Sequence, residues 1–274
     1  MERLTRPQAS SGTTHGISWA AAGAGDPLVL VQGLGYPAAM WFRLLPLLTP
    51  QRRVITFDNR GVGGSAAADT TGLTIEQMAA DVALVLDACE TSSADVLGVS
   101  LGGIVAQEFA LAHPRRVRRL VLASTHTADE HAVSADDEVL AMFARRSQLS
   151  PAESLLASVP YVYASATPRA LIEEDVACRA RQPVPPEVYQ AQLTAAVAYG
   201  GTWQRLPELT HETLFVHGTE DRVVPPVNAA IAAERVNGAR LAWIEGGGHN
   251  LFSERSGEMA EAVNQFLSVW RSAA

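Results

Sequence analysis

The segment Gly98-Val99-Ser100-Leu101-Gly102 constrains this chain more than any other. It stands where an apolar run, 95–99, passes without a linker into a helical pattern over 101–113 that Pro114 stops. A strand that turns straight into a helix around one serine must turn sharply. The turn then leaves the serine hydroxyl projecting alone, and glycines on both sides remove the clashes. The Leu101 N–H would face whatever docks on Ser100, helped by the positive end of the helix. The pattern therefore asks for a serine nucleophile set at the edge of a sheet.

The rest of the chain supplies such a sheet. Short apolar runs at 27–31, 53–57, 119–123, 213–217 and 241–244 read as further strands, apolar on both faces as in a covered parallel sheet. Helical patterns lie between them. Thr74 opens one, with Gln77 as its capping partner. Ile75, Met78, Ala79, Val82, Leu86 and Cys89 then form one stripe. The last helix carries Met259, Val263, Phe266, Leu267 and Trp270 on one face. This alternation predicts an α/β fold with a doubly wound, mostly parallel sheet. Residues 126–210 break the rhythm. They hold amphipathic helical stretches, one started by Ser150-Pro151-Ala152-Glu153, and no convincing strand. The expected division is a core of 1–125 and 211–274 with a helical cap at 126–210.

A serine nucleophile needs a base and an acid to orient it, in the chain order serine, acid, histidine. Asp221 follows the strand ending at His217-Gly218, just before Pro225-Pro226. Its neighbour Glu220 is the competing acid. His249 follows the last strand, inside Gly246-Gly247-Gly248-His249-Asn250, where glycines allow close approach to the serine. Gly33-Leu34-Gly35 after the first strong strand is suited to expose the Leu34 N–H as a second oxyanion donor. Asp58-Asn59-Arg60-Gly61-Val62-Gly63-Gly64-Ser65 reads as a structural, hydrogen-bonded loop at the rim of the site.

Composition removes other classes. The chain has 274 residues, a net charge of −8 and no lysine. Its richest basic run, Arg115-Arg116-Val117-Arg118-Arg119, is short and reads as a solvated face, so a nucleic-acid surface is not expected. Two cysteines make neither a disulfide framework nor a zinc site. The N-terminus, with Arg3, Arg6 and Pro7, lacks an apolar signal core, and no run spans a membrane. The expectation is a cytoplasmic protein, monomer or homodimer, whose partner is a small-molecule substrate.

Together, Phe57-Asp58-Asn59-Arg60-Gly61-Val62-Gly63-Gly64-Ser65, Gly98-Val99-Ser100-Leu101-Gly102, His217-Gly218-Thr219-Glu220-Asp221 and Gly248-His249 resemble the α/β-hydrolase superfamily along nearly the whole chain. Within it the chain is similar to small, serine-dependent, capped members: enol-lactonases, methylesterases and cofactor-free haloperoxidases. The resemblance implies Ser100 as nucleophile, Asp221 as acid and His249 as base, with Leu34 and Leu101 as oxyanion donors. It implies no metal and no cofactor. Gln32 departs from the pattern, which has histidine before the oxyanion glycine. Serine rather than aspartate at 100 separates the chain from haloalkane dehalogenase and epoxide hydrolase chemistry.

The reading is then a hydrolase of carboxylic esters or lactones. A thioesterase, C–C hydrolase, acyltransferase or non-hydrolytic cyclase would use the same groups, and a small-molecule receptor is the alternative outside enzymes. The cap should choose the substrate through its large side chains, Met142, Phe143, Tyr161, Tyr163, Tyr189, Tyr199 and Trp203. Phe143, Tyr163 and Trp203, with His126 just past the fourth strand, are the candidate pocket residues.

Overall fold

The computed structural model describes residues 9–146 and 148–268. Trp270 and the N-terminal Arg3, Arg6 and Pro7 lie outside the described residues. The chain runs β1 (Ser10–Thr14), β2 (Ile17–Ala22), β3 (Asp26–Val31), α1 (Leu45–Leu48), β4 (Arg52–Phe57), α2 (Ile75–Ala88), β5 (Ala94–Val99), α3 (Leu101–Ala112) and β6 (Val117–Ala123). Four helices follow: α4 (Asp137–Arg146), α5 (Pro151–Val162), α6 (Arg169–Ala180) and α7 (Pro186–Ala198). The chain closes with β7 (Thr213–Gly218), α8 (Val227–Arg235), β8 (Arg240–Ile244), α9 (Leu251–Glu254) and α10 (Ser256–Ser268).

The strands form one eight-stranded sheet in the order β1-β2-β4-β3-β5-β6-β7-β8. β1 and β2 are antiparallel to each other, and β2 is antiparallel to β4; every later pairing is parallel. The period of two is visible in β3. Val29 and Val31 pack into one core with α2, α3 and α8, while Leu28 and Leu30 pack into the other with Met40, Trp41 and α10. Both faces are thus covered, as the apolar runs required.

Three features depart from the sequence reading. The β1–β2 hairpin has no counterpart in it, because β1 is polar, short and largely exposed. Its turn rests on His15 and Gly16, whose φ values of 48° and 81° suit a two-residue hairpin. β8 is not apolar on both faces: it is the sheet edge, and Leu241 and Trp243 are 42% and 45% exposed. The arginine run is not wholly solvated. Arg119 turns inward and meets both Asp95 oxygens at 3.0 Å, while Arg52 reaches Asp95 Oδ2 at 3.0 Å. This buried ion cluster ties β4, β5 and β6 at the end of the sheet away from Ser100.

The capping residues act as their chemistry predicts. Thr74 accepts a bond from the Gln77 N–H at the start of α2. Ser150 and Glu153 form a full capping box at the start of α5, with Pro151 in its first turn. Among the described residues no helix is long and apolar enough to cross a membrane.

Candidate active site

Ser100 sits between β5 and α3 with φ 56° and ψ −122°, a backbone that side-chain-bearing residues rarely adopt. The flanking glycines make the turn possible. A Cβ on Gly98 would collide with the Gly102 carbonyl, and one on Gly102 would collide with the Val31 carbonyl of the neighbouring strand. The strained residue is pinned by its own backbone. Its N–H donates to the Ala123 carbonyl at 3.0 Å, and its carbonyl accepts from Thr125 Oγ1 at 2.7 Å.

Beyond β8, the glycine-rich loop delivers His249. The loop is held by Glu254, which accepts from the N–H groups of Gly248 at 2.7 Å and Ala164 at 3.0 Å and from the Thr167 hydroxyl. Burial raises the Glu254 carboxyl and these three donors oppose the rise. His249 Nε2 lies 3.0 Å from Ser100 Oγ, and its Nδ1 lies 2.9 and 3.1 Å from the two Asp221 oxygens. A carboxylate facing Nδ1 requires the proton there. Nε2 is then the acceptor for the serine hydroxyl.

Asp221 follows β7 and is buried. It also accepts from the N–H groups of Val223 and Val224, both at 2.9 Å. Burial pushes its carboxyl up, but the His249 charge and hydrogen bonds from His217 and His249 outweigh burial and hold it well below the usual carboxylate range. Glu220 is exposed and turns to Ser165.

The Gly33-Leu34-Gly35 loop leaves β3 beside Ser100; a Cβ on Gly33 would lie 3.2 Å from Ser100 Cβ. The Gly33 N–H donates to Gln32 Oε1 at 3.0 Å, and the Gly35 N–H to Gln192 Oε1 at 2.9 Å. The Leu34 N–H between them has no partner among the described residues, nor has the Leu101 N–H at the start of α3. Two unpaired amides beside one hydroxyl suit a developing oxyanion. Gln32 supports the loop twice: its side-chain oxygen holds the Gly33 N–H, and its backbone carbonyl accepts from Asn59 Nδ2 at 3.0 Å. The rim loop is tightly bonded: Asp58 accepts from the N–H groups of Ala38 at 2.6 Å and Gly64 at 2.8 Å.

A cavity of about 50 Å³ opens onto Ser100 and His249, walled by Leu34, Tyr36, Phe143 and Phe252. Of the candidate pocket residues, Phe143 lines this cavity. His126 and Trp203 line a separate groove of about 1050 Å³ that Phe143 also borders. Burial holds the His126 imidazole down at about 4, and its Nδ1 accepts from the Ala128 N–H at 2.9 Å. Tyr163 lines neither space; it is buried with its hydroxyl donating to Asp175 at 3.0 Å. Gln192, Tyr36, Arg146 and Glu254 enter the site without having been singled out in the sequence. Gln192 carried no signal, since it lies in a helix whose apolar stripe is weak. Among the described residues no group of three or more His, Cys, Asp or Glu side chains is placed to hold a metal ion.

Residues 26–256 match the family model described as alpha/beta hydrolase fold. The chain is 31% identical to a 2-hydroxymuconate semialdehyde hydrolase of Pseudomonas sp. (strain CF600), over 92% of this chain and 90% of that protein. It is 29% identical to a poly(3-hydroxyalkanoate) depolymerase of Ectopseudomonas oleovorans, over 88% and 89%. An esterase structure from Exiguobacterium antarcticum superposes with a TM-score of 0.80 at 25% identity, covering 92% of this chain and 95% of that one. The chain therefore belongs to the alpha/beta hydrolase fold family, and its relatives include hydrolases.

Proposed function

We propose that this chain is a serine hydrolase that cleaves a carboxylic ester or lactone through an acyl-enzyme on Ser100. The observation that carries the reading is the relay Ser100 Oγ–His249 Nε2–Asp221, at 3.0 and 2.9 Å, beside two unpaired amides. In the first half-reaction Ser100 Oγ attacks the carbonyl carbon and its proton passes to His249 Nε2. The tetrahedral oxyanion is held by the Leu34 and Leu101 N–H groups. His249 then returns the proton to the leaving alkoxide as the C–O bond breaks. Water repeats the sequence on the acyl group and regenerates Ser100. The helices over 126–210 act as a cap and select the substrate. The match to an esterase and to a polyester depolymerase accords with this reading.

A second reading is favoured by one relative. 2-Hydroxymuconate semialdehyde contains neither ester nor amide, so its hydrolysis breaks a C–C bond. The same relay would then serve a ketone or aldehyde carbonyl. A receptor role has no comparable support, because ligand binding alone needs no hydroxyl–imidazole–carboxylate chain.

Reaction with a fluorophosphonate followed by peptide mass spectrometry tests the nucleophile. The adduct is expected on the Ser100 peptide and absent from Ser100→Ala. An adduct elsewhere, or none on folded protein, overturns the assignment.

A further inference from the structure

The described chain has four arginines below a tenth exposure: Arg52, Arg119, Arg146 and Arg179. Arg52 and Arg119 share Asp95. Arg146 and Arg179 are different. They sit on α4 and α6, 6% and 8% exposed, and no carboxylate among the described residues forms an ion pair with either. Arg146 Nε donates to Ser154 Oγ at 2.9 Å, and its guanidinium lies 4.4 Å from the Tyr189 ring centre. Arg179 lies 3.9 Å over the Tyr36 ring. Asp175, one helical turn before Arg179, is turned elsewhere. It accepts from Ser253 at 2.6 Å, Tyr163 at 3.0 Å and Arg43 at 3.4 Å.

Two buried cations without an acid are costly unless something anionic arrives. Burial lowers the Arg146 proton affinity, and the neighbouring Arg179 charge lowers it further while Tyr189 opposes. The space around them has room for a guest. Arg146 and Arg179 both line a cavity of about 380 Å³, together with Gln182 and Tyr189. Gln182 Oε1 and the Tyr189 hydroxyl are buried there without a partner. Arg146 also lines the small cavity at Ser100, and Gly35, beside the Leu34 amide, lines the larger one. The remaining walls are mostly aliphatic, including Leu149, Leu155, Val176 and Val184.

We infer that the substrate of the Ser100 site carries a carboxylate, seated between Arg146 and Arg179, joined to the scissile carbonyl by a short apolar chain. This rests on the Ser100 reading for the place of bond cleavage, but the carboxylate seat does not. Planar guanidinium groups match a carboxylate in a bidentate manner, and the aliphatic walls match the connecting chain. The substrate class is then an acidic ester or lactone: a half-ester of a dicarboxylic acid, or an ester whose alcohol part bears the acid.

Two measurements test the inference. The first compares kcat/KM for p-nitrophenyl hydrogen adipate and 4-carboxyphenyl hexanoate with that for uncharged p-nitrophenyl hexanoate. At least one charged ester should be preferred tenfold or more. The preference should vanish in Arg146→Met and Arg179→Met and return in part in Arg146→Lys, with circular dichroism confirming the fold. No preference for either charged ester, or a preference that survives both methionine variants, overturns the inference. The second measurement does not need Ser100 chemistry. Calorimetry on Ser100→Ala compares the monocarboxylates from butanoate to octanoate with the matching amides. Tenfold tighter binding of one of the acids, lost when methionine also replaces Arg146, supports the seat even if Ser100 proves not to be the nucleophile. Equal binding of acids and amides overturns the seat even if Ser100 is the nucleophile.

Discussion

Asp221 Oδ2 stands between two imidazoles: His217 Nε2 lies 3.1 Å away and His249 Nδ1 2.9 Å away. His217 belongs to the end of β7 and is 1% exposed, and its Nε2 also donates to the Val224 carbonyl at 2.9 Å. It therefore fixes both the Asp221 carboxylate and the turn that carries it. His217→Leu should lower kcat, since one bond to a charged group is worth about 1.5–3 kcal/mol, or roughly 10- to 100-fold. His217→Gln, which keeps a donor, should recover part of the loss. If the two variants behave alike, His217 acts through packing and not through the carboxylate.

Ser100→Ala should remove nearly all ester turnover and leave the fold intact. Removing one member of such a relay costs about 10⁴ to 10⁶ in kcat. p-Nitrophenyl acetate turnover and circular dichroism, read together, check this. Substantial activity in the folded variant would end the nucleophile assignment.

Asp221→Asn should be severe, because an amide at this position no longer fixes the Nδ1–H tautomer of His249; in a comparable serine–histidine–aspartate relay such a change costs about 10⁴ in kcat. Glu220→Gln should do little, since Glu220 is exposed and bonded to Ser165. Steady-state kinetics of the pair decide the matter, and a worse Glu220→Gln would move the acid by one position.

Turnover should rise with pH through one step and then stay flat. The serine proton can be taken only by a neutral imidazole, so protonation removes activity on the acid side. Asp221 adds no second step in this range. Burial raises its carboxyl, but His249 and His217 hold it far lower, so it stays ionised throughout. The profile of log(kcat/KM) for a non-ionising ester, from about pH 5 to about pH 9, checks the single step. A rate that falls across the range would assign the protonated imidazole as the active form.

Stability has its own acid limb at His126. Its folded value is about 4 through burial, against 6.5 for the ordinary side chain. Between these values the unfolded chain binds a proton that the folded chain does not, so stability falls as pH falls through the window. The largest possible loss is about 3 kcal/mol. His126→Gln should flatten this part of a denaturation-midpoint series against pH, while an unchanged slope would place the acid sensitivity elsewhere.

Much of this site was legible because its parts are local. Gly98 and Gly102 flank Ser100 in one short stretch, and the steric reason for them is written in that stretch. The order of Ser100, Asp221 and His249 needs only the strand before each. The support around them is not local. Gln192 reaches the Gly35 N–H across 157 positions, and Glu254 reaches Ala164 across 90. Nothing in either residue's neighbours announces such a bond. Tyr163 shows the opposite error: a large amphipathic residue in the right segment turned its hydroxyl to Asp175 instead of the cavity. β8 is legible as a strand, but its place at the sheet edge, and so its open face, depends on the whole strand order.

The positive φ of Ser100 bears on how such a protein can change. A strained backbone there costs about 1–3 kcal/mol, which the surrounding sheet and helix must offset. Glycine at position 100 relieves that strain and deletes the hydroxyl in one substitution. Ser100→Gly should therefore melt at a higher temperature than the parent and turn over nothing. A hydroxyl at this position is therefore carried at a cost in stability that glycine would not incur.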